Sequence, residues 1–78
     1  MGNIDELYNL LTVLVDEEQR AKLEKMLSDR ISFVSNKPAS TGTCISYMLK
    51  PALNSEEKEK IEDSIYEMGI KKWEFGGN

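Results

Sequence analysis

Residues 36–44, Asn-Lys-Pro-Ala-Ser-Thr-Gly-Thr-Cys, gather hydroxyl groups, a glycine and the chain's only cysteine within one short stretch. Such residues serve three purposes: a loop whose amides cradle phosphate, a cysteine nucleophile held in a turn, or a plain connection between strands. A Walker-type phosphate loop needs G-x-x-x-x-G-K-[ST] between a strand and a helix. Here a single glycine stands without a following lysine, and the next segment is strand-like. Cys44 has no histidine to activate it, since the chain contains none, and its own strand offers neither a lysine nor a helix N-terminus nearby in sequence. It reads as a small apolar strand residue.

The stretch is therefore expected to be a hairpin connection of about six to eight residues, longer than most. Asn36 and Pro38 would initiate the turn and Gly42 would take positive φ. The extra length makes Asn36, Lys37, Ser40 and Thr41 candidates for contact with a partner.

The missing imidazole also removes the usual general base and any nitrogen-ligated metal site. Carboxylates are plentiful, but they are adjacent or helical neighbours in solvent-facing positions. General acid–base work needs carboxylates whose pKa values are driven apart by confinement. No D-x-[DN]-x-[DN]-G pattern for calcium occurs, and Asp16-Glu17-Glu18 lacks the spacing to wrap an ion. The sequence assigns no catalytic residue, no metal ligand and no cofactor, and it reads as a non-enzyme.

A stronger signal lies at residues 55–68. Six acids and two lysines fall there, giving the segment a charge of −4, which is the net charge of the whole chain. At helical steps of about 100° per residue, Ile61, Ile65 and Met68 share one face. Glu56, Glu59, Glu62, Asp63 and Glu67 lie on the other side, and Tyr66 falls among them. Tyrosine is enriched at binding hot spots, and a ring of carboxylates would steer a basic partner. The plainer reading is a solvated helix face with a partly covered tyrosine.

Seventy-eight residues make one small domain, 1–78, with 40% hydrophobic and 31% charged residues, as in ordinary globular chains. Its thin core leaves no room for a cofactor-sized cavity. No apolar run approaches the ~20 residues of a membrane span, and no basic-then-apolar leader is visible at the N-terminus. A lone cysteine fits a reducing compartment, so a cytoplasmic location is expected. The acidic balance argues against direct nucleic-acid binding, and no membrane association is expected.

These segments need elements to hold them. Ile4, Leu7, Tyr8, Leu11, Leu14 and Val15 recur at three and four, which predicts a helix near 3–14 with Asn3 as cap and Asp5 and Glu6 in its first turn. A break follows at Val15-Asp16. Asp16 with Gln19 forms a capping box for a second helix near 17–29; one long bent helix is the alternative. Residues 31–35 and 43–49 alternate as half-buried strands do. Asn54 or Ser55 opens the next helix, and Gly69 closes it with Ile70 packing back in a Schellman motif. Residues 71–75 alternate again, with Trp73 and Phe75 as core residues, and 76–78 form a frayed tail.

This order predicts an α+β two-layer sandwich. A right-handed crossover sets the last strand parallel to the second, with the 31–35 strand central in a three-stranded sheet. The arrangement resembles a ferredoxin-like unit lacking its first strand, in architecture only. Two open edges and an uncovered face would invite self-association. The expected function is a small acidic protein–protein interaction module, an inhibitor or adaptor occupying a basic and even a nucleic-acid-binding surface of another protein. In composition alone it is similar to small phage-encoded inhibitors. A homo-oligomeric assembly subunit is the alternative, and a small-ligand or nucleotide binder using the 36–43 loop is a third reading.

Overall fold

The computed structural model describes residues 7–77 of the chain. Two helices and four strands follow one another as β1 (Asn9–Val15), α1 (Glu17–Leu27), β2 (Ile31–Ala39), β3 (Gly42–Leu49), α2 (Ser55–Glu67) and β4 (Trp73–Gly77). All neighbouring strands are antiparallel, in the order β2-β3-β1-β4. The α+β class is as expected, but the strand thought missing is present, so the whole ferredoxin-like order β-α-β-β-α-β is realised.

The correction lies in residues 9–15, where a helix was expected. In Asn-Leu-Leu-Thr-Val-Leu-Val five of seven side chains are apolar and fall on both faces, so helical and alternating spacings are satisfied together. The fold settles the ambiguity. Asn9, Leu11, Val13 and Val15 are buried against the helices while Leu10, Thr12 and Leu14 line the opposite face. β1 is central, between β3 and β4, and a buried strand can be apolar on both sides. The 31–35 strand, in turn, is not central. β2 lies at a sheet edge, where Pro38 is tolerated because an edge residue need not donate to a ladder. The proposed cap Asn3, with Ile4, Asp5 and Glu6, lies outside the described residues.

The local signals elsewhere hold. Asp16 Oδ1 accepts from the Gln19 amide at 2.8 Å and Gln19 Oε1 accepts from the Asp16 amide at 3.0 Å, a complete capping box at α1. Asn54 and Glu57 repeat the device at α2, at 2.8 and 3.1 Å. At the other end of α2, Gly69 takes φ +77°; its amide donates to Tyr66 O and the Ile70 amide donates to Ile65 O. That pair of bonds is the Schellman motif. Gly76 and Gly77, expected to fray, instead complete β4.

Leu23 and Leu27 of α1 and Ile61 and Ile65 of α2 cover one face of the sheet, closing a core with Leu11, Val13, Ile45, Tyr47 and Leu49. Polar ties fix the layers. Asn9 is buried, and its Oδ1 accepts from the Leu53 amide at 2.8 Å, pinning the approach to α2 onto β1. Gln19 Nε2 donates to Met68 O at 2.9 Å, joining the start of α1 to the end of α2. Arg30 donates to Pro51 O at 3.0 Å and pairs with the Glu57 carboxylate. Trp73, expected in the core, meets Phe75 edge-to-face at 6.1 Å but remains 37% exposed. β4 is an edge strand, and the helices cover only part of it. No described helix is long and apolar enough to cross a membrane.

Candidate functional site

α2 is where the acidic signal becomes a surface. Its sequence fixes orientation before any partner is considered: the Asn54 box sets the start, Gly69 the stop, and buried Ile61 and Ile65 clamp one side onto the sheet. The opposite side must then face solvent. Tyr66 is 85% exposed, and Glu56, Glu59, Asp63 and Glu67 are exposed along the same helix, with Glu62 half-buried. Helical spacing brings Glu62 and Asp63 within one turn before Tyr66, and Glu59 two turns before it.

These acids differ from the helix's remaining carboxylate in what they touch. Glu57 is committed, capping Asn54 and pairing with Arg30. Among the described residues the ion pairs are Arg20–Glu24 and Arg30–Glu57. Glu56, Glu59, Glu62, Asp63 and Glu67 therefore stand without a cationic partner within 4.0 Å among the described residues. The last turn of α2 contains no basic residue to complement the negative end of the helix dipole, and Glu67 sits there.

The 36–44 stretch has a different shape from the long loop expected. Asn36, Lys37, Pro38 and Ala39 pair with Ile45, Cys44, Thr43 and Gly42, so the connection shrinks to Ser40 and Thr41. Gly42 takes φ +154°, and a Cβ there would lie 2.6 Å from the Val15 carbonyl oxygen. Glycine is thus required by the close passage of β3 across the end of β1. Asn36, Lys37, Ser40 and Thr41 are all exposed. Of these, Thr41 borders the same small cleft, about 210 Å³, as Gly69 at the end of α2. Asn36 and Lys37 lie on opposite sides of the edge strand, because alternate residues of a strand point to opposite faces.

Two larger depressions exist that no motif or spacing announced. One, about 660 Å³, runs between the helices and has Leu27, Leu53 and Ile61 beneath a charged rim of Arg30, Glu57, Lys60 and Asp63. The other, about 510 Å³, lies on the sheet face away from the helices and includes Thr12, Leu14, Cys44 and Lys72. Both are open to solvent. Among the described residues no three His, Cys, Asp or Glu side chains gather as metal ligands.

A polar chain that runs from the core to the surface also escaped the sequence reading. Tyr47 is fully buried in β3, and its hydroxyl donates to Glu24 Oε2 at 3.0 Å; Arg20 Nε donates to the same oxygen at 2.9 Å. Burial, reinforced by the bond to Glu24, pushes the Tyr47 phenol well above its ordinary value, and the Glu24 carboxylate raises Arg20 further. Such a phenol stays protonated and serves as a structural donor. The strand alternation placed Tyr47 inward, but nothing local in sequence names Glu24 as its partner.

No protein-family model matches the chain, and no curated protein matches it.

Proposed function

We propose that the chain is a small acidic interaction protein, an inhibitor or adaptor that occupies a basic surface on a partner protein, such as a surface that otherwise holds nucleic acid. The observation that carries this reading is Tyr66, 85% exposed on α2 and surrounded by carboxylates with no cationic partner among the described residues. The acids supply long-range attraction and orientation, while the tyrosine supplies a rigid, amphipathic anchor that loses little entropy on burial. Negative charge at the C-terminal end of a helix costs stability, so Glu67 is better accounted for by a partner than by the fold.

The test is affinity capture at low salt with the wild-type chain, Tyr66→Ala, and the triple reversal Glu59→Lys, Glu62→Lys, Asp63→Lys. A stoichiometric basic partner should be recovered by the wild type and released as salt rises. Loss of an anchoring tyrosine should weaken binding about tenfold or more. Equal recovery by all three chains would overturn the site.

A further inference from the structure

The sheet face turned away from both helices points to a second copy of this chain as its occupant. Cross-strand pairing places the residues of this face in rows, because directly paired residues point the same way. One row reads Phe33, Met48, Leu10, Gly76 from β2 to β4; the next reads Ser35, Ser46, Thr12, Glu74. Beyond them Lys37, Cys44 and Leu14 share a third. The Thr12 and Ser46 hydroxyls share one hydrogen bond at 3.1 Å at the centre of the face, one donating and the other accepting. Phe33 is 61% exposed, although Met48 and Leu10 beside it are half-buried.

The first row has a knob at one end and a gap at the other. Phe33 projects from the β2 edge, and at Gly76 on the β4 edge a Cβ would meet nothing within 4 Å. A two-fold axis running along the strands, between two such faces, lays β2 of one copy over β4 of the other. Phe33 then falls on Gly76 of the second copy and Met48 on Leu10, and symmetry makes each contact twice. The same rotation brings Lys37 within one row, about 7 Å along the strand, of the second copy's Glu74, which a lysine side chain can span. Lys72, opposite Leu14 in the bend before β4, falls against the second copy's Lys37 under this rotation, and the two ammonium groups separate by extending apart, Lys72 past the sheet edge into solvent and Lys37 toward Glu74. An axis across the strands would instead set β2 over β2, leaving Phe33 without a gap to enter.

We propose that this face forms an isologous dimer, with Phe33 seated over Gly76 and Lys37 paired with Glu74 across the interface. Four strands about 4.8 Å apart and about seven residues long bury roughly 450 Å² per copy, at the small end of specific interfaces, so dissociation in the micromolar range is expected.

Sedimentation equilibrium from about 5 to 500 μM tests it, a range chosen to bracket that affinity. The wild-type chain should pass from monomer to dimer. Phe33→Ala and Gly76→Phe should each weaken the dimer at least tenfold, and the two together, which exchange knob and gap, should restore it. Lys37→Glu and Glu74→Lys should behave likewise, weakening singly and recovering when combined. Phe33, Lys37 and Glu74 are exposed and Gly76 has open space above it, so the variants keep the fold, as far-ultraviolet circular dichroism will show. A chain that stays monomeric throughout overturns the proposal. So does a dimer that neither Phe33→Ala nor Gly76→Phe disturbs.

Discussion

The hydroxyl of Tyr47, in the second half of β3, donates to Glu24 Oε2 on α1 at 3.0 Å and so joins the sheet to the helix layer. Arg20 holds the same carboxylate oxygen from the other side. Replacing Tyr47 by Phe keeps the buried ring and removes only this bond. Glu24 is part-exposed and keeps its arginine, so the loss should be modest, about 1 kcal/mol. It is read as a lower denaturation midpoint in urea with an unchanged slope.

The same phenol predicts a pH dependence. Its folded-state pKa is raised, chiefly by burial and then by the bond to Glu24. Below about pH 10, the ordinary tyrosine value, both folded and unfolded chains hold the proton and the stabilisation is complete. Above it the unfolded chain releases a proton that the folded chain retains, so stability falls as pH rises, at up to about 1.4 kcal/mol per pH unit. Urea titrations between about pH 9 and 11 should show this slope in the wild type, and Tyr47→Phe should flatten it.

Gly42→Ala should be among the more damaging single changes outside the core. The added methyl meets the Val15 carbonyl oxygen at 2.6 Å and its carbon at 3.2 Å, and the φ of +154° disfavours any side chain. A cost of about 1–3 kcal/mol is expected, measurable as a fall in Tm. Gly69→Ala is a useful companion: nothing lies within 4 Å, so its penalty comes from the positive φ alone and should be smaller.

Glu67→Lys should stabilise the isolated chain. It replaces an acid by a base in the last turn of α2, where no cation now complements the dipole. A gain of about 0.3–1 kcal/mol at low ionic strength is expected, shrinking with salt. If the acidic face is used for binding, the same change should weaken partner capture. Higher stability with unaltered capture would detach Glu67 from the site.

Much of this was legible before any coordinates. The capping residues Asp16, Asn54 and Gly69 act within a few residues of themselves, so their signals survive in the sequence. The outward placement of Tyr66 followed from helical spacing alone. What failed depended on distant partners. Residues 9–15 satisfy two periodicities at once, and only pairing with 43–49 and 73–77 decides between them. With that strand misplaced, the true central pair β1 and β3 and the row from Phe33 to Gly76 were beyond reach. The nine-residue stretch at 36–44 misled for a related reason. Its proline and small polar residues are turn formers, yet an edge strand accepts them, and only Ser40 and Thr41 form the turn.

The placement of β1 sets the order in which the molecule can be made. A hairpin of β2 and β3 can close early, since its halves are neighbours in the chain. The central strand closes over longer loops: β1 meets β3 across the whole of α1 and β2, and its other side stays bare until β4 docks, with Asn9 opposite Gly77. Nearly the whole described chain is looped between those two residues. Pairings of such high contact order slow folding, and during synthesis they delay it. An apolar strand that precedes both of its partners in the chain therefore keeps one side uncovered until β4 docks, the stage at which β1 has one neighbour and lacks the second.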